Sequence, residues 1–131
     1  MKGCVFCKVI QKKIPAQIVY EDKESLAFLD AFPCSVGQTL VIPKKHSCYI
    51  FDIEDRDYAK LLLKTKKIAK AIDKSLKPIR TIVVVEGFMI DHVHVRLHPC
   101  YERHLSLKPL EPRPSEKELE KTAMKIRSAL N

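Results

Sequence analysis

In DHVHVRLH, residues 91–98, polar and apolar positions alternate: His92, His94, Arg96 and His98 are separated by Val93, Val95 and Leu97. Successive side chains of a β-strand point to opposite faces, so this pattern predicts a strand with three imidazoles and one guanidinium on one face. The apolar row would face a core. TIVVVE is a second apolar run just before it, joined by the short connection GFMID. Nearer the start, QIVYED and SLAFLD flank a charged EDKE turn and predict a hairpin, while QTLVIP is a further strand closed by Pro43. RHLSL, residues 103–107, is a candidate final edge strand.

From about Asp52 to Leu76 the period changes. Tyr58, Leu61, Leu62, Thr65, Ile68, Ala69, Ile72 and Leu76 recur at three- and four-residue steps with lysines between them. That spacing predicts an amphipathic helix packed on the sheet and stopped before Pro78. FCKVIQKK predicts a short helix ended by Ile14-Pro15. In the tail, Ser115 and Glu118 have capping-box spacing, and Leu119, Ala123, Ile126 and Leu130 form one stripe. The expected fold class is α+β: a mainly antiparallel five-stranded sheet, one long helix packed on it, a short N-terminal helix and a C-terminal helix. Residues 1–110 are expected to form the main domain, with 111–131 a helical tail packed on it.

Composition narrows the chemistry. With 46% hydrophobic and 31% charged residues in 131, the chain suits one folded domain with its own core and excludes a disordered chain. No apolar run reaches the length of a membrane span, and MKGCVFCKVI lacks the features of a signal peptide, so no membrane partner and a cytoplasmic location are expected. In a reducing compartment the five cysteines are metal ligands or free thiols. A net charge of +8 suits a polyanion, either nucleic acid or a nucleotide phosphate, although lysines dispersed over helices also give a merely solvated surface.

CVFC places Cys4 and Cys7 at the spacing of a metal knuckle or a redox pair. A redox pair is expected after a strand, at a helix N-terminus; no strand precedes this one, so zinc fits better. His46, just past a strand end, and His92 are candidates for the remaining ligands, with His98, His104, Cys48 and Cys100 as competitors on spacing alone.

CVFCKVIQKKIPAQIVYED, LAFLD, GQTLVIPKKH, VVVEG and HVHVRLHP, in that order over roughly residues 4–100, resemble the histidine-triad (HIT) family, in particular its zinc-containing prokaryotic branch. The resemblance implies a sheet continuous across a homodimer, binding of a purine nucleotide or nucleotide derivative, and hydrolysis or transfer at the α-phosphorus. It assigns Cys4, Cys7, His46 and His92 as ligands of a structural Zn2+, His94 as the nucleophile and Asp30 as the acceptor for ribose hydroxyls. It also assigns Val5, Phe6, Val9, Ile14 and Phe28 to an apolar base slot. Neutral imidazole attacks phosphorus well near neutral pH and splits one difficult displacement into two.

The chain departs from the family at the phosphate end. Arg96 stands where the third histidine is expected; it presents a fork of donors to phosphate but cannot surrender a proton. His98 continues the same predicted face about 6.6 Å further on, in reach of a longer substrate. Val85 replaces an Asn, the loop before the triad is cut to FMID, and Gln38 stands where some members carry a histidine.

Three readings follow: an active hydrolase or nucleotidyltransferase using His94, Arg96 and His98; a catalytically impaired nucleotide binder; and a zinc-containing nucleic-acid-binding module. Five Phe, four Tyr and no Trp make a poor stacking platform, which disfavours the third. Taken singly, His98 and His104 read as surface histidines, Cys34, Cys48 and Cys100 as structural or exposed thiols, Phe6 and Phe28 as core, and Glu86 as a turn cap.

Overall fold

The computed structural model describes residues 3–130. Its strands are β1 (Ile18–Glu21), β2 (Ser25–Leu29), β3 (Thr39–Pro43), β4 (Arg80–Val84) and β5 (Val95–Cys100); its helices are α1 (Val5–Ile10), α2 (Asp55–Leu76) and α3 (Glu116–Ala129). The five strands form one sheet in the order β1-β2-β3-β5-β4, and every pairing is antiparallel. The α+β architecture expected from the sequence is present, with differences at element ends.

Those differences have local causes. α1 closes at Ile10, before Pro15, because Lys12 takes a positive φ of 62° that ends the helical path. Residues 50–52 form a 3-10 turn of their own, so α2 starts at Asp55. α2 ends where Lys77 adopts the left-handed conformation just before Pro78. RHLSL is not a strand: residues 103–107 are exposed and pair with no strand of the sheet, so its alternation reflects a surface path. β5 begins at Val95, so His92, Val93 and His94 precede the ladder.

Burial explains the two layers. Val19, Ala27, Leu29, Val41, Val95 and Leu97 leave one face of the sheet and pack against Leu61, Ile68 and Ile72 of α2 and Leu119, Ala123 and Ile126 of α3. Alternate residues Leu26, Phe28, Leu40 and Ile42 leave the other face and pack under Phe6 and Val9 of α1. The paired capping box at Ser115 and Glu118 starts α3, as its spacing predicts. Gly37, at φ +90°, turns the chain into β3 in a backbone conformation that favours glycine, and a Cβ there would also push aside the tip of Leu76.

The register places the site. Ile18 pairs with Phe28, Phe28 with Leu40, Leu40 with Arg96 and Arg96 with Val84, forming one row across all five strands. An apolar floor therefore runs directly into a guanidinium, beneath α1.

Candidate functional site

At the start of α1, Cys4 caps the helix by accepting the Cys7 N–H on its sulfur. One helical turn thus brings both sulfurs to the same side. His46 arrives from beyond β3 and His92 from ahead of β5, and the two segments are fastened by a Val93 N–H donated to Ser47 O at 2.7 Å. The donor atoms of Cys4, Cys7, His46 and His92 all lie within 4.8 Å of one another. His46 Nδ1 stands 3.3 Å from Cys7 Sγ and 3.1 Å from His92 Nδ1; His92 Nδ1 stands 3.4 Å from Cys4 Sγ and 3.6 Å from Cys7 Sγ. Four donors around a small tetrahedral ion such as zinc stand about 3.3–3.8 Å apart at ordinary S and N bond lengths. The cluster fits such an ion.

Tautomers fit as well. His92 donates its Nε2–H to Pro43 O at 2.8 Å, which leaves the Nδ1 lone pair facing the sulfurs. Burial pushes His92 below the usual histidine range, so the ring is held neutral, as a ligand must be. Burial and the Cys4 sulfur push the Cys7 thiol up. A thiol held protonated by burial beside a second sulfur is a favourable place for a cation, which supplies the missing positive charge. Cys48 is exposed, with its sulfur 3.8 Å from His46 Nε2, outside this group of four.

The same residue orients His94, the nucleophile expected from the sequence. The His92 carbonyl accepts the Nδ1–H of His94 at 2.7 Å, so His94 Nε2 carries the free lone pair. Phe6 packs edge-on against both rings, with centroids 6.0 Å from His92 and 5.1 Å from His94, and against Phe28 at 5.6 Å. One aromatic side chain of α1 therefore touches the cluster, the candidate nucleophile and the apolar slot.

A cavity of about 650 Å3 joins these parts; Val5, Phe6, Val9, Ile14 and Phe28 line it together with His94 and Arg96. Pockets for small molecules and cofactors commonly measure about 300–1,000 Å3 and are mainly apolar with a few placed polar groups. Asp30 stands on its wall. Its Oδ1 accepts the Phe32 N–H at 2.8 Å and its Oδ2 accepts from Gln38 Nε2 at 3.1 Å, while Gln38 Oε1 accepts the Cys34 N–H at 2.6 Å. Gln38 is thus a buried clamp on the carboxylate.

At the phosphate end, Arg96 Nη1 lies 3.9 Å from Glu86 Oε1, and Arg96 Nε is buried with no hydrogen-bond partner among the described residues. Glu86 also accepts the Phe88 N–H at 3.1 Å, so it does cap the turn, yet its carboxylate lines the cavity too. Phe88 and Met89 at the tip of the short loop are almost fully exposed.

His98 stays on the face of Arg96, since the β4–β5 register is unbroken there, but it departs from the surface reading. It is buried rather than on the surface, neither ring nitrogen has a partner among the described residues, and it lines a smaller cavity beside Cys34 and Ser35. Burial, then the Arg96 charge, push it below the usual histidine range. His104 is exposed beside Glu102, and Cys100 is buried. Leu40, Arg113, Glu116 and Leu119 also line the main cavity. Leu40 has a sequence signal in its alternating strand and Leu119 one in the stripe of the C-terminal helix; Arg113 and Glu116 have none.

Residues 11–103 match the family model described as the HIT domain. An uncharacterized HIT-like protein of Methanocaldococcus jannaschii is 37% identical over 103 residues, 76% of this chain and 80% of that protein. Adenosine 5'-monophosphoramidase of Schizosaccharomyces pombe is 36% identical over 98 residues, 74% of each. A zinc-bound histidine triad family protein from Mycobacterium smegmatis superimposes with a TM-score of 0.84 at 28% identity, covering 98% of this chain and 93% of that one.

Proposed function

Because the chain belongs to the HIT family, we propose that it is a hydrolase or nucleotidyltransferase acting at the α-phosphorus of a nucleoside phosphoramidate or dinucleoside polyphosphate. The observation that carries this reading is the His94 ring, fixed by the His92 carbonyl with Nε2 free at the end of a nucleotide-sized cavity.

The base lies in the slot of Val5, Phe6, Val9, Ile14 and Phe28, and Asp30 accepts from the ribose hydroxyls. The His94 Nε2 lone pair attacks phosphorus as the bond to the leaving group breaks, giving a nucleotidyl-histidine. Arg96 offers its donors to the phosphoryl oxygens as their charge develops. A guanidinium keeps its protons, so a leaving amine takes its proton from solvent at the pocket mouth. Water then attacks the phosphorus, releases the nucleoside monophosphate and restores the imidazole. His98, further along the same strand face, would act only on a longer substrate.

Cys4, Cys7, His46 and His92 hold Zn2+ as a structural ion, which when bound cross-links α1 to the strands that carry the site. A homodimer along the edge strand β4 is supported by Ile79 and Val83, which are exposed there.

The test mixes purified protein briefly with adenosine 5'-phosphoramidate, quenches it and maps the peptides by mass. A nucleotidyl increment on the peptide bearing His94, absent in His94→Ala, is expected. Turnover in the wild type equal to that of His94→Ala overturns the reading. Arg96 at the third triad position favours a second reading, a nucleotide binder without turnover; saturable AMP binding with no adenylated peptide would select it.

A further inference from the structure

Residues 104–131 lie outside the segment that matches the family model, yet Arg113, Glu116 and Leu119 line the same cavity as Phe28 and His94. The chain leading to them is stitched along the loop after β2. Tyr101 donates its hydroxyl to Val36 O at 2.8 Å, Leu110 its N–H to Pro33 O at 2.8 Å, and Arg113 its Nε–H to Ala31 O at 2.7 Å. These fastenings walk backward along the loop and finish beside Asp30.

Arg113 is held on a plane. Its guanidinium carbon stands 4.0 Å from the centre of the Phe32 ring, a cation–π stack that fixes the orientation of the group. Phe32 is itself positioned through its N–H, which Asp30 accepts. With Nε engaged by Ala31, the two terminal amines retain donors that no protein acceptor takes among the described residues. An exposed arginine that serves only the surface gains little from such double fixation. One that must meet a planar ligand gains orientation at low entropic cost.

His94 and Arg96 share the cavity lining with the apolar slot and with Asp30, Glu116 and Arg113, and the bond to Ala31 O and the stack on Phe32 place Arg113 next to Asp30. The Asp30 and Glu116 carboxylates on that stretch of wall disfavour a phosphate beside Arg113, so its donors are left for the nucleoside. We propose that Arg113 is a nucleobase-recognition residue, supplied by the C-terminal segment, which donates to acceptor atoms on the edge of a purine seated in the slot. Glu116 offers the matching acceptor for the amino group or N–H of the same edge. This rests on the nucleotide reading above and names the part of the chain that selects the base.

The test compares binding of AMP, GMP and ribose 5-phosphate by calorimetry to wild type, Arg113→Ala and Arg113→Lys, with melting temperatures recorded for each. Losing a charged hydrogen bond costs about tenfold in affinity, and that loss is expected for AMP or GMP in Arg113→Ala with melting unchanged. Ribose 5-phosphate should bind all three proteins alike. In turnover, KM should rise with kcat unchanged. Arg113→Lys keeps the charge and loses the flat stack, so it should restore only part of the loss. Unchanged nucleotide affinity, an equal loss for ribose 5-phosphate, or full rescue by lysine overturns the proposal. If wild type binds ribose 5-phosphate but gains nothing from either base, Arg113 reads no base and the proposal falls alone. If it binds none of the three ligands, the nucleotide reading falls first and takes this one with it.

Discussion

The Cys/His cluster and the phosphate end adjoin through His92 and Phe6, but folding finishes one and leaves the other open. In the cluster, His92 Nδ1 faces sulfurs, His92 Nε2 is tied to Pro43 O, and four donors from three distant stretches meet within 4.8 Å. At the phosphate end, Arg96 keeps a buried Nε with no partner among the described residues and meets Glu86 only at 3.9 Å. A buried donor left unpaired is costly, and under the reading proposed above a phosphoryl oxygen would meet this arginine. The donors of the cluster face one another, whereas Arg96 Nε has no partner among the described residues.

The largest effect should come from breaking the finished region. Binding of structural zinc contributes folding free energy directly. One zinc per chain is expected by elemental analysis, and stripping it with a strong chelator, or Cys7→Ser, should lower the melting temperature by more than about 10 °C. Chelation that leaves melting unchanged would place the cluster among ordinary buried side chains. Breaking the open region should do the reverse. His94→Ala should cost at least about three orders of magnitude in turnover, and Arg96→Ala about two, with melting nearly unchanged. A large stability loss in Arg96→Ala would show that the arginine is a structural strut.

The sequence showed the finished region better than the open one, for a physical reason. Metal ligands need particular atoms, so Cys4-x-x-Cys7 and two histidines are visible as residue types even though 88 positions separate Cys4 from His92. Alternation and three-to-four spacing likewise expose strands and helices, because one face of each must be apolar. For His98, period two correctly places it on the face of Arg96 but does not reveal its burial, because whether a side chain ends in a pocket or under cover depends on what overlies the strand. RHLSL failed similarly, since alternation marks a strand only where a neighbour exists to pair with it. Arg113 and Glu116 carried no local signal. They reach the cavity through backbone stitches between residues about 80 apart, which no periodicity encodes.

A third pair of measurements separates closed networks from ligand-dependent ones. Asp22 joins β1 to α2: it accepts from Tyr20 Oη, from the backbone N–H of Glu24 and Ser25, and from Lys64. Burial works to raise its carboxyl, but Lys64, Tyr20 and the backbone donors outweigh it and hold the group well below the usual carboxylate range. A depressed folded value contributes stability that is present above the unfolded value and lost as pH falls through the folded one. Asp22→Asn should therefore cost about 1–2 kcal/mol at pH 7, with the gap to wild type closing progressively below about pH 4. Denaturant melts across that range check it. Added nucleotide should leave the gap unchanged, as expected of a network complete without ligand.

Gln38 belongs to both kinds of region and should give the smallest effect. Its amide is consumed internally, donating to Asp30 Oδ2 and accepting from Cys34 N, so as a structural element it is finished. Its product, however, is the aim of the Asp30 carboxylate, which under the proposed function meets the ribose hydroxyls. Gln38→Ala removes the clamp on one oxygen while Phe32 N–H still holds the other. A freed carboxylate keeps its charge and loses only part of its orientation, so AMP affinity should fall about threefold to tenfold, near the worth of one hydrogen bond. Turnover at saturating substrate should not change, because His94 is fixed by the His92 carbonyl and not by this network. A fall in kcat with unchanged affinity would instead connect Gln38 to the phosphate end, and the boundary between the two regions would then have to be redrawn through β3.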